Sequence, residues 1–509
     1  MHELSPSQPV PSRGRLVSFP ALPALVAIAV LATTAWAMRG VPRVLTIDDA
    51  YITLHSARAL LAGGDASYGS PILSGITSAP HLVLVAITQA IAPGESSVLA
   101  LGWLALVLYA LVLVRLARTF ALGAPWQALL VLAGLTAGLL LPLHALNGLE
   151  TGLAMAAFTW TLALLRARPG SHDRPRLGLA VLIGTLPYLR PELAPFSAAL
   201  MLLRLGETQR AADRATARIA WLRELAAALL AAAPWALAYG LTTGTPWPST
   251  LLVKSAWRAD SCLPMAERLA TLWGGLVERL PGAVAVGAVF LPLDAAGVAG
   301  IAAVAFFLVT ALTLFPFVTG LQDGRYTVLF VPLLVYGLGL GLSAARPLLR
   351  RLATVLLVVA TAYDLARLPE AFALNREARS FIGGETAANA RWLREHLPAN
   401  ARVLVHDAGY VAFATPFTLI DVVGLKSPGS AVRHREITLP SCGTRRGEAI
   451  ADIATAARAT YLVTLAEWEQ RFGFVAALEH AGWRVERLRN GHSGYSVYAL
   501  TQPGGGERR

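Results

Sequence analysis

The 509-residue sequence is 55% hydrophobic and only 15% charged, with a mean hydropathy of +0.55 and a formal charge of +12. That balance excludes an ordinary soluble globular protein and points to a polytopic membrane protein. The positive charge is no nucleic-acid footprint. Arginines fall in short clusters between apolar runs, without a basic groove or interleaved aromatics, as the positive-inside rule expects of loops that flank spans.

Arg13 and Arg15 precede the apolar run Leu16–Met38, long enough to cross a bilayer, which is read as a retained first span with a cytoplasmic N-terminus. A polar loop over 39–80 follows, with a predicted helix at Ala50–Leu61 that stops at Gly63-Gly64. His81–Ile91 is apolar but shorter than a span. Val98–Val114, Pro125–Leu143 and Thr151–Leu165 read as crossings, with arginine clusters at 115–118 and 166–176. Leu177–Leu203 reads as two half-spans with Arg190 and Glu192 at an outer tip. Such short helices need other helices around them. Leu225–Tyr239, Ala283–Pro292, Gly297–Phe317, Val328–Leu342 and Ala353–Ala366 complete about eleven crossings, with an outer loop at 244–280.

From residue 368 the apolar runs stop. Predicted strands at 402–406, 417–421, 461–464, 483–488 and 495–499 alternate with helices at 385–396, 448–458 and 466–481. This gives a soluble α/β domain over 368–509, on the periplasmic side in this topology, behind a membrane domain over 1–367. Cys262 and Cys442 both fall outside, where an oxidising compartment permits a disulfide, although two cysteines cannot fix a framework.

Chemistry concentrates at the outer loops. Asp48 and Asp49 are adjacent carboxylates just past the first span, and Glu150, Arg190, Glu192, Lys254 and Arg325 fall on the same predicted side. Ionisable groups at membrane depth are costly and commonly functional. Interfacial salt bridges such as Asp49–Arg58 or Arg190–Glu192 are the structural alternative. A carboxylate pair supplies a base whose proton affinity its neighbour raises, and the cations can stabilise a departing phosphate. His55, one helical turn from Tyr51, lines the site or packs at the interface. Trp247 and Trp257 suit an interfacial belt better than sugar stacking. No metal motif occurs, though the acids could hold a divalent cation through oxygen. No phosphate-cradling glycine loop occurs either, so a nucleotide substrate is not expected.

Asp48-Asp-Ala-Tyr-Ile52 with Arg58, Ser74-Gly-Ile-Thr-Ser78, Asn147-Gly-Leu-Glu-Thr151, Leu189-Arg-Pro-Glu192, the Pro246–Lys254 loop and Gly324-Arg-Tyr326 recur in order. So do Asp407-Ala-Gly-Tyr410 and Ile420-Asp-Val-Val-Gly-Leu425. The series resembles the bacterial GT-C glycosyltransferases, in particular the mycobacterial terminal arabinofuranosyltransferase type. Ser249 stands where that group usually has Asn. The resemblance implies a GT-C-like fold in the inner membrane and an inverting transfer from a polyprenyl-phosphate sugar to a periplasmic glycan, lipid or protein. It implies Asp48 as base, with Asp49 and Glu150 orienting the acceptor, Tyr51, His55 and Glu192 lining the site, and Arg58, Arg190, Lys254 and Arg325 toward the donor phosphate. A transporter or flippase, or a non-catalytic glycan-binding relative, is the alternative. The acids sit at loops rather than span centres and no inverted repeat is evident, which disfavours transport.

Overall fold

A computed structural model describes residues 21–137, 140–167, 175–279, 282–322, 324–491 and 494–503. Arg13, Arg15, the start of the first apolar run, Arg168, Arg174 and the tail from Gly504 lie outside the described residues. The helices fall close to the predicted runs: α1 (Leu22–Ala37), α2 (Asp48–Ala62), α3 (Ala79–Ile91), α4 (Glu95–Thr119), α5 (Ala124–Thr136), α6 (Thr151–Ala167), α7 (Leu177–Leu189), α8 (Ala194–Thr208), α9 (Arg214–Thr243), α10 (Thr250–Arg258), α11 (Met265–Arg279), α12 (Ala295–Leu314), α13 (Val331–Leu342) and α14 (Pro347–Phe381).

Among the described residues, four helical stretches are long and apolar enough to cross a membrane on their own: α4, α9, α12 and the continuous helix from Pro347 to His396. The other apolar helices run 10–17 residues. Short helices survive at membrane depth because neighbours surround them and tighter or wider turns take up their free ends. The Arg190 hairpin shows this: α7 and α8 are joined by a 3₁₀ turn at Pro191–Leu193, and α7 packs along α9. Large apolar side chains face outward along the long helices, with Leu230 73% and Leu241 85% exposed on α9. A water-facing surface would not tolerate such bands, so this is a membrane protein.

The predicted domain boundary at 367/368 falls inside α14, which continues through Pro369 into the soluble part. There α15 (Ala387–His396), α16 (Tyr410–Ala414), α17 (Pro428–Arg433), α18 (Arg446–Ala457), α19 (Ala466–Phe472) and α20 (Phe474–His480) surround one sheet. The helix expected over 466–481 is two helices, because Gly473 takes φ +60° between α19 and α20. α16 and α17 were not anticipated; at five and six residues they are too short to show a periodicity. The strands are β1 (Arg402–Val405), β2 (Thr418–Asp421), β3 (Tyr461–Leu465), β4 (Arg484–Arg489) and β5 (Tyr495–Thr501), in the order β2-β1-β3-β5-β4. β1 runs parallel to β2 and β3, and β5 is antiparallel to β3 and β4. The parallel strands carry the near-continuous apolar sequences Val403–Val405 and Leu419–Ile420, as buried parallel strands do. Their C-terminal ends deliver the 406–410 and 421–427 turns to the membrane domain.

Candidate active site

The first two acids of α2 do different work. Both lie in the first turn, where the helix dipole favours negative charge. Asp48 turns to the soluble domain: Gly409 N donates to its Oδ2 and Tyr410 N to its Oδ1, each at 2.7 Å. A side chain at 409 would put its Cβ 2.0 Å from the Asp48 carbonyl oxygen, so only glycine permits this approach. Tyr51, on the next turn, packs its ring on Tyr410 (4.8 Å) and Phe413 (5.4 Å) and bonds its hydroxyl to Glu95. Arg58 lies 4.0 Å over Phe413. This side of α2 is a docking face.

Asp49 points the other way. Its Oδ2 accepts from Arg325 Nη1 (3.1 Å), Gln322 Nε2 (3.2 Å) and Lys254 Nζ (3.3 Å). The Asp49–Arg58 pair weighed from sequence is absent. Asp49, Glu150, Lys254, Arg325, Thr77, Thr250 and Leu425 are among the residues lining a cavity of about 20 Å³, room for roughly one water. Glu150 is placed by the Asn147-Gly148 turn: Asn147 Oδ1 accepts from Leu149 N at 2.9 Å, and Gly148 takes φ +90° under Leu45 and Ala50. Arg190 then grips Glu150 (2.6 Å) and Glu192 (2.9 Å), as the sequence alternative for Arg190–Glu192 expected. Tyr326 offers its ring to two guanidiniums, Arg190 at 4.8 Å and Arg325 at 5.0 Å.

These charges set one another. Burial pushes the Asp49 carboxyl up, but Lys254 and Arg325 outweigh it and hold the group far below the usual range. Burial likewise opposes Glu150, and Arg190 with Arg325 keeps it ionised. Asp48 is the reverse case. Burial and the nearby Asp407 raise it well above the ordinary carboxylate value, against the two backbone donors. Asp407 stays low despite its burial, because His406 lies 3.1 Å from Oδ1 and Tyr495 donates to Oδ2 at 2.5 Å. His406 Nε2 accepts from Leu465 N, so Nδ1 carries the proton.

Beside the small cavity lies an apolar one of about 210 Å³, walled by Phe306, Phe307 and Phe315 and by Leu251 and Leu252. The two share Thr77, Thr250 and Lys254, and Glu192 and Tyr326 sit at the junction. Lys254 is held there from the soluble domain. Trp257, one helical turn on, is fully buried between His434, Phe472 and Phe474, and Arg446 bonds the Trp257 and Arg258 carbonyls. A buried tryptophan of this kind is worth about 3–5 kcal/mol against alanine. The Cys262–Cys442 disulfide fastens the same segment. Trp257 is therefore a packing anchor, while Trp247 stacks on Tyr188 at 5.3 Å and stays 46% exposed.

Of the residues singled out from sequence, the structure brings Asp49, Glu150, Lys254 and Arg325 into one cavity, with Arg190 and Glu192 behind it. Asp48, Tyr51 and Arg58 face the soluble domain instead, and His55 bonds Asp65 Oδ1 at 3.0 Å. Sequence reasoning missed Gln322, Thr77, Thr250 and the buried Asp65–Lys426 pair (3.0 Å). Lys426 had a signal: it is one of only two lysines and follows the Asp421–Leu425 turn directly. Among the described residues no group of three or more His, Cys, Asp or Glu is placed to hold a metal.

His434 shows how the Trp257 junction responds to acid. Its Nε2 bonds the Val422 carbonyl at 2.7 Å and its Nδ1 the Thr438 hydroxyl at 2.8 Å. Burial lowers its pKa to about 4. The unfolded chain therefore takes a proton near pH 6.5 that the folded one refuses until about pH 4, and stability from this group is lost as pH falls through that window. Relative to His434→Gln, the native protein should lose up to ~3 kcal/mol between pH 6.5 and 4, read from thermal unfolding of the two proteins.

The same architecture occurs in ArnT from Cupriavidus metallidurans. Bound to undecaprenyl phosphate, that structure superposes with a TM-score of 0.52 at 13% identity, covering 94% of this chain and 97% of ArnT. Its apo state gives 0.53 at 11%, with the same coverage. The chain has the fold of ArnT. This is the GT-C architecture that the ordered motifs led us to expect. The arabinofuranosyltransferase AftD from Mycobacteria aligns at 15% identity with a TM-score of 0.43, and this chain spans 40% of its length. A family model described as a domain of unknown function, DUF8728, matches residues 376–498, the end of α14 and the soluble domain. No curated protein matches the chain.

Proposed function

We propose that this protein moves a sugar from a polyprenyl-phosphate donor to an acceptor hydroxyl with inversion, and that Asp49 is the base. One observation carries the reading: an apolar cavity in the membrane domain adjoins, at Thr77, Thr250 and Lys254, a polar cavity lined by two cations and two carboxylates. A polyprenyl chain suits the first, and its phosphate meets Lys254 and Arg325 at the junction. Undecaprenyl phosphate bound to ArnT, a protein of the same fold, supports a donor of this class.

The geometry supports the second acid, rather than the first, as the base. Both Asp48 oxygens are occupied by main-chain donors, and Asp48 does not line the cavity. Asp49 does, and its Oδ1 takes none of the three bonds that converge on Oδ2. Lys254 and Arg325 neutralise Asp49. A donor phosphate draws those cations to itself, and the proton affinity of Asp49 climbs toward that of a working base. The acceptor oxygen then attacks the anomeric carbon and its proton passes to Asp49. The bond from that carbon to the phosphate oxygen breaks, and the electron pair leaves on a phosphate held by Lys254 and Arg325. One displacement inverts the centre. Glu150, fixed by Arg190, orients the acceptor.

Binding of undecaprenyl phosphate tests the donor end. Lys254→Gln and Arg325→Gln should each weaken it about ten- to a hundredfold, the loss of one charge-assisted contact of about 1.5–3 kcal/mol, followed by thermal shift of the purified protein. Unchanged binding in both variants would place the lipid phosphate elsewhere and sink the assignment.

A further inference from the structure

Toward its C-terminal end α14 carries a buried stripe that the mechanism above does not use. Ala371, Asn375 and Arg379 recur every fourth residue, so they share one face, and all three are buried. This face meets two irregular segments. One is the loop that leads into α2, over 42–45; the other is the turn that leads to Glu150, over 146–148. Neither segment belongs to a helix or a strand, so its carbonyls need partners from elsewhere.

Arg379 supplies them. Its Nη1 donates to the Pro42 carbonyl at 3.2 Å and to the Val44 carbonyl, and its Nη2 donates to the Leu146 carbonyl at 3.0 Å. Its Nε donates to Asn375 Oδ1 at 2.9 Å, and Asn375 Nδ2 donates to the Pro142 carbonyl. Asn375 thus aims the guanidinium from one helical turn away. The rigid fork reaches two segments far apart in sequence. A lysine ammonium, a point charge on a flexible stem, has no such fixed spread of donors.

The two segments that it joins carry the acids of the site. Val44 shortly precedes the Asp48-Asp49 start of α2, and Leu146 begins the turn that places Glu150. Leu45 N donates to the Tyr51 hydroxyl at 3.1 Å, which ties the loop to α2. The segments also touch directly: a Cβ on Gly148 would lie 2.9 Å from Leu45 and 3.2 Å from Ala50. Asp49 and Glu150 then line one cavity. The two cations come from other elements, Lys254 from α10 and Arg325 from the turn before α13. None of the bonds described for Arg379 goes to either of them.

We propose that Arg379 is a positioning residue for sugar transfer: by clamping the 42–44 loop to the Leu146 turn, it sets the separation of Asp49 from Glu150. The proposal rests on the sugar-transfer reading and deepens it. The carboxylates are set from α14, while the cations that face the donor phosphate are set elsewhere. A base and an acceptor-orienting group act only in near-attack geometry, where a shift of about 1 Å costs on the order of a hundredfold. Loss of the fork therefore slows transfer without releasing the donor.

The test adds the purified full chain to membranes of a deletion strain, which hold the natural donor and acceptor, and measures product formed per undecaprenyl phosphate bound. Arg379→Lys keeps the charge and loses the fork. It should bind undecaprenyl phosphate as the native chain does and transfer about a hundredfold more slowly. Amide hydrogen exchange should quicken over 43–50 and 146–151 and stay native over 250–258 and 319–327, a pattern that general destabilisation does not give. Asn375→Ala leaves the arginine in place but unaimed, and it decides the question if Arg379→Lys does not fold. It should lower transfer severalfold with lipid binding retained. Native transfer per bound lipid in Arg379→Lys, or in Asn375→Ala where the first variant does not fold, would overturn the proposal. So would exchange that quickens equally in all four segments. Failure of the sugar-transfer reading itself looks different: the native chain then makes no product, or Asp49→Asn makes it at full rate.

Discussion

Asp49→Asn is expected to lower sugar transfer by about 10²–10⁴-fold, the contribution of a positioned general base, while undecaprenyl phosphate binding persists or tightens. The amide still reaches Gln322 and Arg325 but cannot take a proton. It also stops competing with the donor phosphate for Lys254 and Arg325, which now bond Asp49 at 3.3 and 3.1 Å. Asp48→Asn separates the two acids. An amide there sets one N–H group against a backbone donor of Gly409 or Tyr410, so its main effect is on docking of the soluble domain and on the thermal midpoint. Full transfer by Asp49→Asn, together with loss of transfer and unchanged stability in Asp48→Asn, would return the base to the first acid.

Much of the membrane domain was legible because apolar runs, arginine clusters and glycine stops are local signals. Gly63 ends α2 with φ +81°, and the Arg190 hairpin folds back at the predicted tip. What local reading misses is the side to which a residue points once a distant element arrives. Asp48 and Asp49 are neighbours of one residue type, and only the 407–410 turn separates their roles. Tyr51, Arg58 and His55 follow Asp48 around the α2 face that the soluble domain covers. Trp257 looked interfacial because its partners, His434, Arg446, Phe472 and Phe474, belong to another part of the chain. The same limit applied to α14: hydropathy falls near 368, but helix geometry continues to Phe381.

The largest effect on stability is expected at Lys426. Its ammonium is wholly buried, 3.0 Å from Asp65 Oδ2 and 3.1 Å from the Ser56 hydroxyl. Asp65 is also buried, and its other oxygen takes His55 and the Tyr68 amide. Lys426→Met leaves that buried carboxylate without its lysine partner, a loss of about 3–5 kcal/mol. Adding Asp65→Asn to Lys426→Met should recover part of the loss, because the uncompensated charge goes with it. A double variant no more stable than the single one in thermal unfolding would show that the pair is not the source. The pair also bears on the active site. It joins the loop after α2 to the turn whose Leu425, one residue earlier, lines the Asp49 cavity. That cavity holds about one water, so an acceptor sugar enters only if the wall gives way. Breaking the pair frees this wall, and Lys426→Met should therefore change transfer and stability together. A variant several kcal/mol less stable with transfer unaltered would mean that acceptors reach Asp49 by a path that avoids Leu425.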